Sequence, residues 1–169
     1  MTFALHRSMA LAALLLGAAP PAFAQKPDMH SHASKPISAS PQAVPIDAAT
    51  LAALPRESVT ATAHEKTLNC EGTPLSVLLR SVGALPEEPL RGPQLANYVL
   101  VTARDGYRAV YSLAELEPTL GHRKVLLVDR CEGKPLSEEE GPLRLIAPEE
   151  SRPARWVRQV QSITVVTAP

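Results

Sequence analysis

The residues of this 169-residue chain with most chemistry to offer are two cysteines, Cys70 and Cys131, and three arginines, Arg144, Arg155 and Arg158. A thiolate is a soft metal ligand, and a pair of cysteines is also the raw material of a disulfide. A guanidinium fork suits phosphate and carbonyl oxygens. A plainer reading stands beside this one: Arg144 alternates outward between Leu143 and Leu145 on a strand, and Arg155 and Arg158 flank a packed Trp156. Met29-His30-Ser31-His32 offers nitrogen and sulfur donors to copper or another late transition metal, but on a segment too loose to fix a geometry. His64, Asp105, Tyr107 and His122 are candidate acids, bases or anchors, and no spacing puts two of them on one surface. There is no G-x-S-x-G, Gly-rich phosphate loop, C-x-x-C or H-E-x-x-H, so hydrolase, nucleotide-binding and zinc-protease readings lack support.

The segments that must position these residues follow from composition and period. Arg7, the apolar run Met9 to Gly17 and the small-residue site Ala22-Phe23-Ala24 read as a secretory signal peptide over residues 1–24. No later run approaches the length of a membrane span, and the expected location is periplasmic or secreted. Without that segment 16 basic residues face 17 acidic ones, alternating along the chain, which gives nucleic acid no basic stripe to bind. Residues 25–45, rich in Pro, Ser, Ala and Lys, read as a solvated tether, and residues 46–169 as one domain.

Within the domain, Asp47 caps a short helix that Pro55 stops. Val59 to Ala63 and Lys66 to Asn69 are strands before a turn at Glu71-Gly72, and Thr73-Pro74 opens a helix with Leu75, Leu78, Leu79 and Val82 on one face. Tyr98 to Ala103 and Tyr107 to Tyr111 are strands around the turn Asp105-Gly106. Ser112 and Glu115 form a capping box. Val125 to Val128, Leu143 to Ile146 and Ser162 to Val166 complete a strand-rich α+β domain, a mixed β-sheet with short helices. An exported chain with an even number of cysteines meets oxidising conditions, so a Cys70–Cys131 disulfide closing about 60 residues, worth about 4 kcal/mol, stands against two buried thiols.

Three stretches carry a family resemblance: Gly72-Thr73-Pro74-Leu75-Ser76-Val77-Leu78-Leu79, Asp105 to Leu116, and the cassette Asp129 to Arg158 with its G-x-P-L, G-P-L-R-x-x-x-P and A-R-W-V-R pieces. Together they resemble the sulfite-oxidase-type molybdopterin-binding domain, from about Val59 to Val166. The resemblance implies that fold and a periplasmic molybdopterin-dependent oxidoreductase, moving an oxygen atom or two electrons on a small substrate and passing electrons to a redox partner protein. It implies Arg144, Arg155 and Tyr107 near the cofactor. It also implies a cysteine ligand to molybdenum around Val59 to His64, where this chain has none. Cys70 is then a displaced metal ligand, or it is bridged to Cys131 and the protein is a metal-free binding module. Such a module keeps the fold, holds no cofactor, and uses the former cofactor groove for a small-molecule ligand or a protein partner.

Overall fold

In Tyr98–Ala103, half-buried and buried residues alternate, so Val99, Val101 and Ala103 enter the core while Tyr98, Leu100 and Thr102 face outward. The same period-two logic governs most of the domain in this computed structural model, which describes residues 41–168. The signal segment, nearly all of the tether, and Met29 to His32 lie outside the described residues. Strands and short helices follow in the order β1 (Gln42–Val44), α1 (Ala48–Ala52), β2 (Glu57–Ala63), β3 (Lys66–Pro74), α2 (Leu75–Ser81), β4 (Tyr98–Ala103) and β5 (Arg108–Ser112). They continue with α3 (Leu113–Leu116), β6 (Leu126–Cys131), β7 (Lys134–Pro135), β8 (Arg144–Ile146) and β9 (Val160–Val166).

The α+β domain expected from the sequence forms, its strands divided between two antiparallel sheets. One has the order β1-β9-β4-β5, the other β2-β3-β6-β7 with β8 on β6. The buried faces share one core that includes Leu75, Leu78 and Leu79 of α2, Val99 and Val101 of β4, Leu126 to Val128 of β6, and Ile163 of β9. Removing from water a leucine as fully buried as Leu78 contributes about 1.5–3 kcal/mol. The short helices are closed by local hydrogen bonds. Thr50 N–H donates to Asp47 Oδ1 at 3.0 Å, Glu115 N–H to Ser112 Oγ at 3.0 Å, and Ser112 N–H back to Glu115 Oε1 at 2.8 Å.

Three local readings need correction. Residues 42–44 are not tether: Gln42, Ala43 and Val44 pair with Val165, Thr164 and Ile163 of β9, and Val44 is buried. Glu71-Gly72 is not a turn. β3 runs straight on to Pro74, with a bulge between Glu71 and Gly72 where it meets β6. Glycine is required there because a Cβ would stand 2.1 Å from Leu127 O, so a close backbone approach selected the residue that a turn also selects. Thr73 accordingly sits in the strand, and α2 starts after Pro74 without a side-chain cap.

Cys70 and Cys131 are register partners on β3 and β6, and their sulfurs are bonded to each other. The bond joins residues 61 apart in sequence. Constraining a loop of that length stabilises the fold by about 4 kcal/mol through the unfolded chain. The double variant Cys70→Ser, Cys131→Ser should therefore lose about 4 kcal/mol in urea unfolding. A loss within about 0.5 kcal/mol of zero, the range of a neutral surface change, would contradict the bridge.

Candidate functional site

Four connections converge on a groove of about 660 Å³. The β2–β3 turn brings Ala63 and His64, and the β4–β5 connection brings Ala103, Asp105 and Tyr107. The segment before β8 brings Glu139 and Glu140, followed by Arg144 itself, and the stretch before β9 brings Pro153, Ala154, Trp156, Arg158 and Gln159. The β2–β3 turn is made by His64 and Glu65, at φ of 49° and 65°, between the paired Ala63 and Lys66. Left-handed backbone at two non-glycine residues costs about 1–2 kcal/mol each, and neither residue type signals such a hairpin in the sequence.

Tyr107 is 49 % exposed and borders the groove. Its phenol O–H donates to Ala154 O across the groove's edge, and its N–H donates to Asp105 Oδ1 at 2.9 Å. Arg144 also lines the groove. Its Nη1 is paired with Glu140 Oε2, and its guanidinium lies 5.7 Å from the Trp156 ring centre. Its Nε is buried without a hydrogen-bond partner. Burial pulls the Arg144 pKa below the ordinary guanidinium value, with Glu140 opposing and Arg158 adding to the shift. Arg158 Nη1 stands 3.8 Å from the other oxygen of the same carboxylate, Glu140 Oε1. The ring beneath is fixed by Trp156 Nε1–H donating to Ala147 O at 2.8 Å.

Arg155 does not line the groove. Its Nη1 donates to Val110 O at 2.9 Å and Glu115 Oε1 at 3.1 Å, and its guanidinium stacks 4.3 Å from the Tyr111 ring centre. Nη2 sits 2.5 Å from Glu150 Oε1, a charge contact rather than an aligned hydrogen bond. Burial pulls the Arg155 pKa down, but Glu115 and Glu150 outweigh it and hold the net value above the ordinary one. Through these partners Arg155 ties the segment before β9 to β5 and α3. Tyr111, fully buried, completes the knot by donating its O–H to Arg155 O at 2.7 Å.

The structure thus brings Tyr107 and Arg144 together and leaves Arg155 outside. It adds Glu140 and Gln159 to the lining, and it pairs both sequence-predicted arginines with carboxylates, Arg144 with Glu140 and Arg155 with Glu150, an arrangement that counts against either as a free cofactor contact. Of the other early candidates, His64 and Asp105 reach the groove. His122 stays away from it, its Nδ1 3.1 Å from Pro118 O. The Gly141-Pro142 turn, which separates Glu140 from the strand bearing Arg144, was the available signal for the pairing of those two.

The family model for the oxidoreductase molybdopterin-binding domain matches residues 42–169. The chain belongs to that family. A search of curated proteins finds no match to it. For a member of the molybdopterin-binding family, the donor set is the decisive test of what this groove can hold. The resemblance calls for one cysteine thiolate on molybdenum. The chain's two cysteines are bonded to each other, with Cys70 wholly buried. A bridged sulfur has no thiolate to donate, which corrects the reading of Cys70 as a displaced ligand. Among the described residues no group of three or more His, Cys, Asp or Glu is placed to hold a metal ion. The residues present do not fit a thiolate-ligated molybdenum.

The Tyr111 phenol gives a test of the knot around Arg155. Burial pushes its pKa far above the ordinary phenol range, with Glu150 adding and Arg155 opposing. The folded-state pKa is raised, so the stabilisation is fully present below about pH 10 and falls as pH rises towards the folded-state value. The unfolding free-energy difference between the wild type and Tyr111→Phe should be constant up to about pH 10 and shrink above it. A difference that stays flat into the alkaline range would mean that Tyr111 is not sealed in this knot.

Proposed function

We propose that this member of the family is an exported, metal-free binding domain, which uses the groove beside Tyr107, Arg144 and Arg158 to hold a small polar ligand. The observation that carries the proposal is the Cys70–Cys131 bridge, which occupies the chain's only thiols in the fold rather than in a metal site. Disulfides persist in oxidising compartments, so the bridge and the signal-like residues 1–24 support one location, periplasmic or secreted. Among the described residues no helix is long and apolar enough to cross a membrane.

The groove has the mixed lining that ligand sites use: a Tyr107 ring face, the Trp156 ring beneath Arg144, and charged groups of both signs. The oxidoreductase activity known of the family, oxygen-atom or two-electron transfer on a small substrate with a redox partner, calls for an open metal position that these residues do not build.

The test is the molybdenum content of the protein exported from a host that makes the pterin cofactor, measured by elemental analysis and paired with assay of released pterin. The expected result is molybdenum far below one atom per chain. Near-stoichiometric molybdenum, retained through purification, would overturn the metal-free reading.

A further inference from the structure

One carboxylate in the groove holds two cations. Glu140 pairs Oε2 with Arg144 and has Oε1 3.8 Å from Arg158 Nη1, so the triad carries one net positive charge. The two arginines are held very differently. Arg144 is 12 % exposed, with a buried Nε that has no partner, whereas Arg158 is 61 % exposed and only loosely engaged. A desolvated cation needs a counter-charge, and a buried donor without an acceptor is costly. Glu140 supplies the charge but leaves Nε unused.

We propose that Arg144 and Arg158 form an anion seat that Glu140 occupies from within the chain, and that the seat opens to a small organic dianion. The inference rests on the metal-free reading of the groove. Exchange needs little movement. The backbone of Glu140 is fixed, its N–H donating to Ser137 O at 3.1 Å and its carbonyl accepting from Gln159 N–H at 2.9 Å. Only side-chain torsions must change to swing its carboxylate, 29 % exposed, away from the arginines. A phosphate ester, or a dicarboxylate with both carboxylates on one carbon, brings two negative charges against the one of Glu140, and several acceptor oxygens for the two guanidinium groups. Asp105 and Glu139 on the groove wall disfavour a second anionic end, so the charge of the ligand is gathered at one head.

The chain's single tryptophan, Trp156, lies against Arg144 and reports on the seat directly. Intrinsic fluorescence of the metal-free protein is titrated with inorganic phosphate and, separately, with malonate, at ionic strength held constant with sodium chloride. A saturable change with phosphate, malonate or both is expected, and the pattern names the head group. Glu140→Gln should bind the responding anion about tenfold more tightly, and Arg158→Ala about tenfold more weakly. The same anion should raise the Tm of Glu140→Gln more than matched chloride does, because it restores the lost counter-charge. No saturable change with either anion in both the wild type and Glu140→Gln overturns the proposal. If Glu140→Gln does not fold, equal affinity in the wild type and Arg158→Ala overturns it. Molybdenum in the exported protein would count against the metal-free reading, while these titrations decide the seat separately.

Discussion

The β3–β6 ladder concentrates two constraints within three residues of each other. Cys70 is bonded to its register partner Cys131, and at Gly72 the two backbones approach so closely that a Cβ would meet Leu127 O at 2.1 Å. Each restricts the other: the bulge between Glu71 and Gly72 resets the register that the bridge fixes on its far side. The consequences reach both ends of β3. Towards its start, the hairpin with β2 carries His64 to the groove. Towards its end, the strand delivers Leu75, whose N–H donates to Val125 O at 2.8 Å, into α2 and the core. The same sulfur bond that secures this ladder removes the only thiols from metal chemistry, so the covalent constraint and the functional reading have one origin.

Electrostatics divides the three arginines of the C-terminal segment into different roles. Arg155, hydrogen-bonded to Val110 O and Glu115, charge-paired with Glu150 and stacked on Tyr111, is a structural clamp that fixes the segment before β9. Arg144 and Arg158 share a single carboxylate at the groove, and that shortage of acceptors distinguishes them from Arg155. Arg144 combines deep burial with an Nε that has no hydrogen-bond partner, whereas Arg158 is largely exposed.

What the sequence disclosed was mostly local. Ser112 and Glu115 closed their helix as a capping box, Asp105-Gly106 turned a hairpin, and Leu75, Leu78 and Leu79 faced the core, since each depends on spacing within a few residues. The misreadings share a cause too. Gly72 looked like a turn because glycine serves turns and close approaches alike, and only the neighbouring strand β6 distinguishes them. Residues 42–44 looked like tether because three residues carry too little period to announce a strand whose partner, β9, is more than 100 positions away. The contact of Glu140 with Arg158, and the His64-Glu65 turn, arise from contacts between segments and from backbone angles that residue type does not reveal.

The central claim is that the two cysteines are joined in the working protein, so the measurement that addresses it most directly is a thiol count. Protein recovered from an oxidising compartment would be unfolded without reductant, treated with iodoacetamide, and weighed intact by mass spectrometry, followed by proteolysis. The account predicts no alkyl adduct and one linked pair of peptides containing Cys70 and Cys131. Two adducts on every chain would contradict it and return Cys70 to the pool of possible metal ligands.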